Sequence, residues 1–144
     1  MSYERTLLDL LTDTTQLHAA YVNRTLLARW GIQSGQGAIL SALGILGPCS
    51  QKELAEFRQV SPATISVMLG RMEAKGLIIR SPSDEGGKRN QISLTEKGRQ
   101  IADEMSTDMQ MENERIFDGL SPDERETAAR LFLIIRENLA GKNR

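Results

Sequence analysis

Two short stretches of the 144-residue chain have the residue types and spacing to make directed polar contacts. One is Ser61-Pro62-Ala63-Thr64-Ile65-Ser66-Val67 with Arg71 a turn further on: hydroxyls, small methyls and one guanidinium. The other is Gly86-Gly87-Lys88-Arg89, two cations beside two glycines. Hydroxyl and guanidinium groups hydrogen-bond to base edges and phosphates, and methyl groups meet the methyl of thymine. Gln51 and Lys52 stand at a helix start, where free N–H groups favour an anion. Catalysis, by contrast, finds no candidates. One histidine, His18, and one cysteine, Cys49, cannot build a metal cluster. There is no nucleophile elbow, and Gly35-Gln36-Gly37 lacks the preceding strand and third glycine of a phosphate loop. Neither an enzyme nor a bound cofactor or metal is expected.

The elements that must hold these residues follow from periodicity and end signals. Ile65, Met68, Leu69 and Met72 recur at helical spacing, so a helix from Ser61 buries one face. Ser61 suits its N-cap, Pro62 its first position and Gly76 its stop. The opposite face, Ala63, Thr64, Ser66, Val67, Gly70 and Arg71, is short and carries one charge, where surface helices ordinarily carry Lys and Glu. Just before it, Ser50 with Glu53 is a capping box opening a short helix through about Phe57, anchored by Leu54 and Ala55. Just after it, Leu77–Arg80 and Gln91–Leu94 are β-prone around a polar tip, Ser81 to Arg89, which predicts a hairpin. Upstream, a long helix from about Tyr3 to Arg29 has Leu7, Leu10, Leu11, Leu17, Tyr21 and Leu26 on an apolar face. A second, Ser34–Leu46, turns Ile39, Leu40, Leu43 and Leu46 inward and ends at Gly47-Pro48, with Gly47–Ser50 as a turn. Downstream, Thr95 caps a helix from Glu96 to about Asp118, with Ile101, Met105, Met109 and Ile116 spaced for burial. Ser121-Pro122-Asp123-Glu124 is a further capping box, opening a strongly apolar last helix to about Leu139.

A helix-turn-helix followed at once by a β-hairpin is a winged helix. The fold expected is therefore mainly α, an α+β winged helix-turn-helix. The short helix face then has a reason, because it lets backbone approach the base edges of a major groove about 12 Å wide. A short face also suits a helix–helix contact, and Lys88 and Arg89 also suit a solvated loop. The order and spacing of the elements favour a nucleic-acid surface. Charge agrees: residues 50–99 hold nine Lys/Arg against six Asp/Glu, whereas residues 100–144 hold six against ten. The net charge of the chain is only −1, so the basic character is local. An apolar content of 40% with 26% charged residues describes a globular protein. No membrane span and no signal peptide are read, and a single cysteine suits a reducing compartment, so the cytoplasm is expected.

From Gln51 to Gly98 the chain resembles the DNA-binding core of the MarR family of bacterial transcriptional regulators. The matching pieces are Lys-Glu-Leu-Ala at 52–55, Ser-x-Ala-Thr-x-Ser at 61–66, Arg-Met-Glu-x-Lys-Gly-Leu-Ile-x-Arg at 71–80, and Ser-Leu-Thr-Glu-Lys-Gly at 93–98. The resemblance extends more loosely over all 144 residues. It implies one domain, with a winged helix-turn-helix lobe at about 34–98 and a helical dimerisation region at about 1–30 and 99–144. It implies a homodimer that binds a pseudo-palindromic operator on double-stranded DNA, usually as a repressor. Ser61, Ala63, Thr64, Ser66, Val67 and Arg71 would then read the groove. Lys88 and Arg89 would hold the backbone or minor groove, assisted by Gln51 and Lys52. The alternative is a winged helix used only for protein–protein contact. The chain departs from the family pattern at two places. An Asp and an Arg two residues apart in many wings align here with Gly86 and Lys88, while Asp84, Glu85 and Arg89 lie nearby. Val67 stands where many members carry Arg.

Independently of the resemblance, the terminal helices are too apolar to stay exposed, and a two-fold dimer would cover them. The resemblance further implies a small aromatic or amphipathic effector in the region of His18, Tyr21, Trp30, Met105 and Met109. Met and aromatic residues at helical spacing are, however, ordinarily core. Cys49 precedes a helix, which lowers a thiol pKa, although a lone cysteine is more often inert.

Overall fold

The computed structural model of the chain describes residues 5–82 and 90–141. Along it run α1 (Leu7–Trp30), α2 (Ser34–Leu46), β1 (Cys49–Ser50), α3 (Gln51–Arg58), α4 (Pro62–Ala74), β2 (Ile78–Pro82), β3 (Asn90–Leu94), α5 (Glu96–Ile116) and α6 (Pro122–Leu139). Contacts divide the chain into two compact units, Met1–Ser106 and Thr107–Arg144.

Helix ends fall where the side-chain caps are. Ser50 Oγ accepts from the Glu53 N–H at 3.1 Å while the Ser50 N–H donates to Glu53 Oε2 at 2.7 Å. Ser121 and Glu124 repeat that exchange at 3.3 and 2.8 Å. A third box was not expected. Thr6 Oγ1 accepts from the Asp9 N–H at 3.1 Å and Asp9 Oδ2 accepts from the Thr6 N–H at 2.9 Å. It starts α1 at Leu7 rather than at Tyr3. Each such cap satisfies N–H groups that no helical carbonyl can reach.

In the first unit, α2, α3 and α4 pack on one another and on a small antiparallel sheet ordered β1-β3-β2. Ile32, Ile39, Leu40, Leu54, Ile65, Leu69, Met72, Leu77, Ile78 and Ile92 form its fully buried centre, joined by Leu26, Ile101, Ala102 and Met105. β2 and β3 pair from Ile78 opposite Leu94 to Pro82 opposite Asn90, so the base of the expected hairpin is present. Lys88 and Arg89, with Asp84, Glu85 and Gly86, lie outside the described residues. The stretch read as a turn at Gly47–Ser50 instead ends in strand β1, Cys49 facing Ile92 and Ser50 facing Gln91. Two residues are too few to show an alternation.

Several positions expected to be inward are not. Leu46 is 40% exposed at the end of α2, and Met109 (60%) and Ile116 (45%) are open on α5. On α1 only Leu26 is buried, and Leu7, Leu10 and Leu17 are exposed. α6 buries none of its residues, although it carries Leu131, Phe132, Leu133, Ile134, Ile135 and Leu139. Helical spacing locates an apolar face, but not what covers it.

Candidate nucleic-acid interface

α4 divides its faces cleanly. Ile65, Leu69 and Met72 are fully buried, with Met68 partly so, while Ala63, Thr64, Ser66, Val67, Gly70 and Arg71 are exposed. Val67, at 58% exposure, presents its methyls outward. At the helix start Ser61 Oγ accepts from the Thr64 N–H at 3.2 Å and shares a hydrogen bond with Thr64 Oγ1 at 2.8 Å. Two of the three expected hydroxyls are thus engaged in the cap. Ser66 carries the hydroxyl that stands outside it.

The preceding helix presents α4. The turn between α3 and α4 passes through Gln59, which has φ +54. Its N–H and that of Val60 bond back to Glu56 and Ala55 carbonyls at 3.2 and 3.1 Å, the αL way of closing a helix. Gln51 Nε2 donates to the Pro62 carbonyl at 3.3 Å, so this half-buried side chain braces the first turn of α4. Lys52 is exposed and 4.0 Å from Glu56, a pairing too open and long to hold it.

The far end of α4 is tied down by polar residues at 75–76 and 95–97, which apolar periodicity does not mark. Lys75 Nζ donates to the Gly31 carbonyl at 2.9 Å and to Gln36 Oε1 at 3.2 Å. Thr95 Oγ1 donates to the Gly76 carbonyl at 2.6 Å and accepts from the Gly98 N–H at 3.0 Å. The Thr95 N–H donates to the Leu77 carbonyl at 3.1 Å, and Lys97 Nζ to the Lys75 carbonyl at 3.3 Å. A Cβ at position 98 would lie 2.0 Å from the Leu77 carbonyl oxygen, so only glycine fits this crossing. Lys-Gly-Leu at 75–77 and Thr-Glu-Lys-Gly at 95–98 are therefore two sides of one joint. Arg80 on β2 adds an ion pair to Glu73 of α4 at 3.4 Å.

The five expected effector residues have unlike surroundings. Met105 is buried, its Cε 3.2 Å from where a Cβ on Gly37 would be, and is part of the core. Trp30 packs against that core with its indole N–H donating to Glu104 Oε2 at 2.8 Å, and Arg29 lies over its ring at 4.4 Å. The Trp30 hydrogen bond first, then that from Gln100, lowers the Glu104 pKa. Tyr21 is half-buried, with the Arg24 guanidinium 6.0 Å from its ring centre, and His18 and Met109 are exposed.

Cys49 is buried, and burial followed by the charge of Glu53 raises its pKa. The lowering that a following helix suggests is absent, and such a thiol is a poor nucleophile. Among the described residues no three His, Cys, Asp or Glu side chains group to hold a metal ion, and no helix is long and apolar enough to cross a membrane.

A short-faced helix braced on a second helix, beside the base of a β-hairpin, defines the winged helix-turn-helix fold. The sequence profile of the MarR family matches residues 30–89. The chain is 28% identical over 130 residues to YwhA of Bacillus subtilis (strain 168), an uncharacterised HTH-type transcriptional regulator, covering 90% of this chain and 86% of the relative. The fold matches the crystal structure of the S. aureus MepR–DNA complex with a TM-score of 0.83 at 22% identity, over 96% of this chain and 99% of that one. It also matches Bordetella bronchiseptica BpsR, whose DNA binding is regulated by 6-hydroxynicotinic acid. There the TM-score is 0.80 at 23% identity, over 95% and 97% of the two chains.

Proposed function

We propose that the protein binds a pseudo-palindromic operator on double-stranded DNA as a homodimer and acts as a cytoplasmic repressor, by binding rather than by catalysis. The observation that carries this reading is α4. Ile65, Leu69 and Met72 of its apolar stripe are consumed by the core, with Met68 partly so, which leaves a short-chained face outward. Ala63, Ser66, Val67 and Arg71 make the base contacts in this reading, with the Thr64 methyl beside them. Ser61 shapes the helix start, and Gln51 acts mainly as its brace. Lys52, Lys88 and Arg89 supply phosphate contacts. Residues at about 34–98 form the DNA-binding lobe, and the helices at about 1–30 and 99–144 form the dimerisation region.

Release by a small aromatic or amphipathic molecule is supported by the BpsR relative. Within this chain Tyr21, Trp30 and Met105, with the exposed His18 and Met109, remain its proposed surroundings. The five are partly core and partly surface, so the molecule would have to open the packing at Trp30 and Met105.

Selection from a randomised duplex pool, followed by salt titration of the winners, tests the reading. Enrichment of an inverted repeat with a steep negative salt slope is expected, because binding releases counterions from several phosphates. Among selected duplexes, Ser66→Ala should change base preference at one position in each half-site by about 1–3 kcal/mol. A folded protein that enriches no sequence and binds without salt sensitivity would rule the reading out.

A further inference from the structure

Lys75 follows the last residue of α4, a place where an exposed lysine is ordinarily read as a phosphate contact. Its bonds point elsewhere. We propose that Lys75 is a positioning residue: its ammonium pins the end of the recognition helix to the end of α1 and so sets the separation of the two recognition helices in the dimer. The inference rests on the dimeric DNA-binding reading above.

Three observations carry it. First, the acceptor at 2.9 Å is the carbonyl of Gly31, the C-cap of α1. Carbonyls at a helix C-terminus lack intrahelical partners and carry the negative end of the dipole, so a cation is favoured there. Second, the other acceptor, Gln36, is the one polar residue buried among the described residues, at 4% exposure. Its Oε1 accepts from the Gln33 N–H at 3.3 Å and from Lys75 at 3.2 Å. A buried amide oxygen that loses a partner is costly, which gives the contact a fixed geometry.

Third, the grip closes into a ring. The Lys75 carbonyl accepts from Lys97, and the neighbouring Gly76 carbonyl from Thr95, both at the start of α5. About two turns further along α5, Glu104 accepts from Trp30, the last residue of α1. The ends of α1 and α4 and the start of α5 are thereby linked pairwise. Two of the three ammonium donors of Lys75 are spent on this joint. The lysine also lies about 20 Å along the helix axis from Ser61, whereas recognition helices touch bases with their N-terminal residues.

The test uses the full-length protein and the inverted repeat that it selects, rebuilt with spacers one base pair shorter and longer. Lys75→Met removes the ammonium and keeps the stem. It is expected to weaken binding to the best duplex about tenfold, the scale of one lost hydrogen bond to a charged group. The salt slope should stay unchanged, and the discrimination between spacers should collapse. Lys75→Arg, which can reach both acceptors, should recover most of the affinity and the spacer preference. A salt slope shallower by about one unit, with all duplexes weakened alike, would make Lys75 a phosphate contact and overturn the proposal. So would binding and spacer preference equal to those of the wild type. If Lys75→Met is unfolded at the assay temperature, Lys75→Gln is compared with Lys75→Arg by the same two readouts. Failure of the wild type to select any inverted repeat would instead sink the dimeric reading itself, before a variant is made.

Discussion

α4 and α6 are built from the same parts and end differently. Each opens on Ser-Pro with the serine as N-cap, and each carries large apolar residues at helical spacing. Yet Ile65, Leu69 and Met72 of α4 are fully buried, and α6 buries nothing, with Leu133 at 54% and Leu139 at 78% exposure. α4 completes its core within the first unit, whereas the large apolar residues of α6 are exposed. Exposed apolar stretches of that extent mark an interface. A second copy of the chain is the proposed cover.

The comparison breaks or sharpens most strongly with one substitution made in both helices. Leu69→Ala should cost about 2–5 kcal/mol in denaturant unfolding, at any protein concentration, because it opens a cavity in a closed core. Leu133→Ala should cost less than about 1 kcal/mol in dilute protein, where an exposed side chain loses little. Its cost should grow as concentration drives association. If the two variants were equally destabilised at low concentration, α6 would be covered within its own chain.

A second pair uses glycines. Gly98→Ala forces a methyl against the Leu77 carbonyl and should destabilise by about 1–3 kcal/mol, as overpacking does. No atom approaches within 4 Å of a Cβ built on Gly70, so Gly70→Ala should raise stability by up to about 1 kcal/mol through helix propensity. The same methyl projects from the proposed groove-facing side, and specific binding should weaken while the melting temperature rises. A Gly70→Ala protein that is both more stable and unimpaired in operator binding would move the reading face off this side of α4.

The smallest expected effect lies at the joint between α1 and α5. The Trp30 hydrogen bond holds the Glu104 pKa below its ordinary value of 4.5. Because the folded value is the lower one, the associated stability is complete above the unfolded pKa and is lost as pH falls through the folded pKa. Glu104→Gln keeps an acceptor for Trp30 but does not titrate. Its loss of melting temperature between neutral and acid pH should therefore be smaller than that of the wild type. Equal acid sensitivity would show that this carboxylate is not involved.

Much of this could be read from the chain in order. The bounds of α2 follow from apolar spacing and the Gly47-Pro48 stop, and the caps at Ser50, Ser61 and Ser121 from residues three positions apart, whose bonds form wherever the helix forms. The buried and short faces of α4 followed from spacing alone. Thr6 with Asp9 carries the same signal, and it places the start of α1 at Leu7. The commitments of individual polar groups were not legible. Thr64 and Gln51 offer the same donors to a cap, a carbonyl or a base, and only the folded neighbour decides which.

By itself, then, the sequence determined where α2, α4 and α6 start and stop, that a hairpin follows the second short helix, and which face of α4 is short. Those are local matters, settled by backbone N–H groups and apolar periodicity within a turn or two. Tertiary structure alone decided that Cys49 becomes a buried strand residue, that Leu46, Met109 and Ile116 stay open, and that Lys75 turns inward to α1. Gly31 is 44 residues from Lys75. A contact between them exists only once the intervening helices have packed and brought an unpaired helix-end carbonyl within reach of the ammonium.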